Sequence, residues 1–178
     1  SHPHVLEPVD LLQSTTDPNH ATVVLYSLGN AVSNQRKEEM TTLTTGETED
    51  GALFSVTFAK YPDGTVCLDA VELIPTWVNM HSNTGVKEYN IVPLNKEAED
   101  QWGELGMSAD QVKLAQQSYQ RTTKIVGDGL KACQEDLTQA RADREQYYLE
   151  LPNHPEWLEA EAPAETAAET VETLPEAA

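Results

Sequence analysis

A chain of 178 residues with 39% hydrophobic and 6% aromatic residues is long enough for one packed domain with trimmings, but not all of it can pack. Its formal net charge of −19 argues against binding to nucleic acid or an anionic membrane, both of which want a basic face. The seven Glu from Glu156 onward carry only part of that charge, so the remainder is acidic in its own right.

The chain opens Ser1-His2-Pro3-His4, without an initiator Met, which reads as a processed product or a fragment. In an extended backbone the side chains at i and i+2 point to the same side. His2 and His4 would then aim at one spot, where a metal or an anion could sit. On spacing alone the blander reading of His-x-His, two surface histidines, is preferred.

Residues 1–13 read as an extended entry, and Asp17-Pro18-Asn19-His20 as a turn. Thr22 to Leu28 is a β-branched run of strand length that ends at Gly29-Asn30, where glycine allows a positive φ. A buried strand ending in such a turn suits an α/β sheet presenting polar groups to a ligand. Ser27 could stand as a nucleophile after that strand. No Gly-x-Ser-x-Gly elbow or placed His supports this, so Gly29 is read as turning the chain and Asn30 as facing a site or capping the turn.

Arg36 to Gly51 is polar and reads as an exposed loop. Leu53 to Tyr61 alternates, with Phe54, Val56 and Phe58 on one face. Pro62-Asp63-Gly64 supplies turn chemistry. Thr65 to Ile74 alternates again, with Val66, Leu68, Ala70 and Ile74 on one face. Together these predict a β-hairpin, with a further strand near Glu88 to Val92.

Helix follows. Ser108 to Gln111 is a capping box, and Val112, Ala115, Tyr119, Thr122 and Val126 keep helical spacing. Gly127-Asp128-Gly129 reads as a helix break, since it lacks the residues of a phosphate loop. The amphipathic pattern resumes to about Tyr148 and closes at Pro152 and Pro155. From residue 156 the chain is almost wholly Ala, Glu, Thr and Pro, a composition that predicts disorder. Cys67 and Cys133 read as buried thiols, with a disulfide left open. His81 reads as a polar cap on a packed segment, and His154 sits beside Pro155. No helical apolar run reaches membrane-spanning length, and no signal peptide is visible.

Two segments in order resemble the CapA family of capsule and poly-γ-glutamate biosynthesis proteins: residues 1–8 (SHPHVLEP), then Val24 to Asn30 (VLYSLGN) with Ser33-Asn34-Gln35. Glu49 to Phe54 and Pro75 to Asn79 are similar to the same family, and the resemblance covers roughly residues 1–95. It implies a fold related to calcineurin-like metallophosphoesterases, whose last motif is Gly-His-x-His. His2 and His4 match that histidine pair and would be metal ligands, and Asn30 and Gln35 would lie near the site. Two divalent ions (Mn, Zn, Fe or Mg) held by carboxylates, an Asn and histidines would activate a water there and neutralise phosphoryl oxygens. The family usually has Gln where Glu7 stands and Phe where Ala31 stands. Its upstream Asp, Asn and His ligands are not among these residues, so this chain alone is expected to be inactive.

The expected architecture is therefore mixed, α/β or α+β. Residues 1–95 would be the C-terminal portion of a metallophosphoesterase-like β-sandwich domain, 96–155 a helical extension and 156–178 a disordered acidic tail. The intact protein would act outside the cytoplasm, at the cell surface, on an anionic polymer or a phosphoester. It would be membrane-anchored and associated with polymer synthesis machinery. The alternatives are a non-catalytic assembly or export factor for such a polymer, and an acidic binding module with incidental histidines.

Overall fold

In a computed structural model, residues 2–16, 21–33, 35–41, 45–95 and 101–154 are described. The predicted turn at residues 17–20, with His20, and the predicted disordered tail from residue 156 lie outside them. The chain divides into two units, residues 1–140 and 141–178.

The first unit holds two antiparallel sheets. β1 (Val9–Gln13) pairs with β2 (Ala21–Leu25) in a two-stranded ribbon. β3 (Asp50–Lys60), β4 (Val66–Asn83) and β5 (Val86–Pro93) form a three-stranded meander. Every described strand pair is antiparallel, so the class is α+β. The parallel arrangement that would favour a ligand at a βα switch point does not form among the described residues. β2 is only partly covered because its ribbon has one packed face.

The β3–β4 hairpin forms where the alternation and the turn residues predicted it. Gly64 takes φ +92, and Tyr61 N donates to Thr65 O at 2.9 Å. The predicted faces hold only part of the way. The register shifts between Thr57 and Phe58, whose places on β4 are opposite Ala70 and Leu68, so the ladder steps over Asp69. That bulge exchanges the faces of β4. Leu68, Val71 and Leu73 join the core, whereas Ala70 and Ile74 fall on the other side and Phe58 is left exposed.

α1 (Ala109–Glu150) starts at the predicted capping box. Gln111 N donates to Ser108 Oγ at 3.3 Å, and Ser108 N donates back to Gln111 Oε1 at 2.8 Å. The helix is continuous through Gly127-Asp128-Gly129, contrary to the predicted break. Gly129 is needed for closeness rather than for a turn, because a Cβ there would overlap the Val9 carbonyl of β1. α1 shares two cores with the sheets. One joins Trp77, Val92, Leu94, Trp102 and Met107 to Ala115. The other joins Val9 and Val71 to Val126, Cys133 and Leu137. Cys67 and Cys133 are both free thiols, Cys133 buried and Cys67 half-buried. The described part of the second unit is the end of α1 and a short 3-10 turn, Leu151–Asn153.

Candidate functional site

The chain after β2 turns inward and meets the start of β3. Isolated bridges join Leu6 to Leu28 and Gly29 to Gly51. Gly29 takes φ +66, and its missing side chain leaves room for Asp50 O, which would lie 2.5 Å from a Cβ. Asn30 N then donates to Asp50 O at 3.1 Å. Ser27 is buried here, and its hydroxyl donates to Val5 O at 2.6 Å while accepting from Gly29 N. That hydroxyl holds the N-terminal segment in place and is not poised as a nucleophile.

Asn30 gathers three of the four predicted site residues. Its Nδ2 donates to Thr48 O at 2.9 Å and to His4 O at 3.0 Å, with Gln35 Oε1 at 3.3 Å. Backbone carbonyls can only accept, so the amide nitrogen must face them and Oδ1 must face His4. His4 Nδ1 lies 2.9 Å from that oxygen, so Nδ1 is the protonated ring nitrogen and donates. The neutral ring then keeps its lone pair on Nε2. His4 itself is exposed. Thr48 Oγ1 donates to Gln35 O at 2.7 Å, closing the corner.

His2 stands apart from this arrangement. It is exposed, and His2 and Pro3 lie in a turn followed by His4 at φ +56. The extended backbone that would have sent His2 and His4 to the same side is therefore absent. Among the described residues no three His, Cys, Asp or Glu side chains cluster as a metal site. His81 lies within β4, where its Nε2 meets Glu88 Oε2 across the strands at 2.9 Å, rather than capping a segment.

The loop expected to be exposed holds the most buried charges of the described chain. Arg36, Thr48, Glu49 and Asp50 are each less than 8% exposed. Arg36 Nη2 pairs with Glu49 Oε2 at 3.2 Å, and its Nη1 donates to Val78 O at 2.6 Å. Trp77 Nε1 donates to the same Glu49 oxygen at 3.2 Å, and the Arg36 guanidinium lies 5.9 Å from the Trp77 ring centroid. Asp50 receives Ser118 Oγ at 2.6 Å and two N–H groups of Arg121. Buried carboxylates are tolerated because each has a cation and a further donor. The sequence carried a signal for this: Ser118 and Thr122 sit at core spacing with Ala115, and Arg121 follows Ser118 by three residues on the same helix face. Polar residues on an apolar stripe need partners, and Asp50 at the mouth of β3 supplies one for Ser118 and for Arg121.

Burial pushes the Asp50 carboxyl above its ordinary value, while the hydrogen bonds from Arg121 and Ser118 pull it back. Burial pulls the Arg121 guanidinium down, but its bond to Asp50 more than restores it, leaving it raised. A raised acid disfavours the ion pair and a raised base favours it. Both carboxylate oxygens receive guanidinium N–H groups, so we take the pair as ionised at neutral pH, with the burial cost showing on the acid. Burial also raises the Cys133 thiol, which makes it a poor nucleophile.

No family model, curated protein or solved structure matches this chain. Function therefore rests on the chemistry of the corner itself. One imidazole with a fixed tautomer offers a single lone pair, suited to a metal ion or to a proton.

Proposed function

We propose that the His4–Asn30 corner contributes to a divalent-metal site of the metallophosphoesterase kind, in a surface protein of capsule or poly-γ-glutamate biosynthesis. The observation that supports this is the orientation of the Asn30 amide. Ligating histidines commonly hand their second ring N–H to a neighbouring acceptor, which fixes the tautomer. Asn30 Oδ1 takes that part, and His4 would bind through Nε2. Gln35 and Thr48 hold Asn30 in turn. His2, the other histidine of the resembled motif, would join as a second ligand only by leaving the turn it occupies here, with the remaining ligands supplied by residues that these 178 do not include. The donors present fit part of such a site. A bound ion would supply an activated water and charge neutralisation for a phosphoester or an anionic polymer. The finer fold assignment, a metallophosphoesterase-like β-sandwich, belongs to the same proposal.

A non-catalytic assembly or export factor is the second reading. It is favoured by Asn30 itself, which is 8% exposed and spends its amide hydrogens on internal acceptors from three segments. There the corner fastens the N-terminal segment and does no chemistry.

Long-range 15N–1H NMR of the imidazoles, with Zn2+ added stepwise, tests the first reading. The expected His4 ring is protonated on Nδ1, and its Nε2 resonance moves on Zn2+ addition. Metal content of a longer version, extended upstream, should fall with His2→Ala plus His4→Ala. An Nε2–H tautomer with no response to Zn2+, and unchanged metal content, would leave the assembly reading.

A further inference from the structure

A chain with 11 Lys and Arg against 30 Asp and Glu places three of its cations in one surface groove of about 480 Å3. Lys37, Arg121 and Lys124 line it, with Thr45, Gln117 and Gln120, and no carboxylate is among the lining residues. Gln117, Gln120, Arg121 and Lys124 stand at i, i+3, i+4 and i+7 on α1, so they share one helix face. Lys37 and Thr45 come from the loop before β3.

Arg121 is already committed. Asp50 takes two of its N–H groups, Gly46 O lies 3.4 Å from Nη2, and Glu47 feels its charge. The two lysines differ. Among the described residues neither ammonium has an ion pair, so they supply the uncompensated charge of the groove. Two positive point charges on rotatable stems match a dianion with several acceptor oxygens. A carboxylate would match the planar guanidinium fork better, and Asp50 occupies that fork. The volume falls in the range of small-molecule sites and leaves room for an organic body beside the anion.

We propose that this groove binds a dianionic phosphate group, free or as the monoester of a small molecule, through Lys37 and Lys124 with added donors from Gln117 and Gln120. The site uses no metal and stands independently of the His4 corner.

The test is a titration of the full chain at constant ionic strength, with EDTA present so that the fate of the metal proposal leaves it untouched. The probes are inorganic phosphate, glycerol phosphate and malonate, read through the side-chain amide NMR signals of Gln117 and Gln120. Saturable 1:1 shifts with either phosphate are expected. Tighter binding of glycerol phosphate identifies the monoester as the ligand, and equal binding identifies the free ion. Lys37→Gln plus Lys124→Gln, at positions outside the packed core, should raise Kd by about tenfold or more, the scale of losing charged hydrogen bonds. Absence of saturation, an unchanged Kd in the double variant, or equal binding of malonate would overturn the proposal.

Discussion

Asp50 and Arg121 meet edge to edge: Arg121 Nε lies 2.8 Å from Asp50 Oδ2, and Nη2 lies 2.7 Å from Oδ1. The Asp50 side chain is 2% exposed and that of Arg121 22%, so the pair is shielded from water on the acid side. It ties the first residue of β3 to the first third of α1.

Replacing Arg121 by Met leaves a buried carboxylate with Ser118 as its remaining donor. The expected loss is about 3–5 kcal/mol, read as a lower urea midpoint. Adding Asp50→Leu to the same chain should restore part of the loss. If the double variant is less stable than the single, the buried charge is not the cause.

The raised Asp50 carboxyl sets a pH dependence. A raised acid holds its proton in the folded chain at pH values where the unfolded chain has released it. The contribution of Asp50 to stability therefore increases as pH falls through its folded value, and levels off below the ordinary 3.8. Urea unfolding of the native chain and of Asp50→Asn, compared from neutral pH downward, should shift the difference toward the native chain on acidification. A difference that moves the other way would contradict the assigned direction.

Asn30→Asp replaces a donor by an acceptor in front of Thr48 O and His4 O. Two carbonyls lose their partner and face a carboxylate oxygen. We expect a loss of about 2–4 kcal/mol, measured by chemical denaturation, against a smaller loss for Asn30→Ser.

Gly29 and Gly51 lie across an isolated bridge, each against the other's neighbour. A Cβ on Gly51 would overlap Asn30 O, and Gly29 also needs its positive φ. Gly51→Ala and Gly29→Ala should each cost about 2–4 kcal/mol, combining overpacking with strain. A cost below about 0.5 kcal/mol, the usual range for surface changes, would show that the two backbones are not held together.

The two helical glycines should respond with opposite signs. A methyl added at Gly127 would meet nothing within 4 Å, so Gly127→Ala should stabilise the chain by about 0.5–1 kcal/mol through helix propensity. Gly129→Ala should destabilise it, because the Val9 carbonyl must move. Thermal unfolding of the two variants side by side distinguishes these outcomes.

Local signals carried far in this sequence where one short rule decided the structure. Pro62-Asp63-Gly64 set the hairpin turn, and Ser108 with Gln111 set the helix start. The nearness of Asn30 and Gln35 to His4 came only from the family resemblance, and Asn30 bonds to both of the others. The failures share a cause, which is contact between distant segments. Gly127 and Gly129 resemble a break until β1 lies against the helix. The bulge at Asp69 belongs to neither strand alone. Arg36, Glu49 and Asp50 look like solvent-facing charges because their partners, Trp77, Val78 and Arg121, are many residues away.

The stretch from Gly46 to Gly51 meets the Gly29–Asn30 turn, the loop at Arg36, β4 and α1. Thr48 O holds Asn30, Glu49 holds Arg36 and Trp77, and Asp50 holds Asn30 N through its carbonyl and α1 through its side chain. Six residues thus work as a rivet. Lifting the Gly29–Asn30 turn, the 36–41 loop or the helix strips a partner from the same short stretch, so the first unit should open all at once. The amides of Asn30 and Ala52 would then exchange with solvent only at the rate of whole-unit opening.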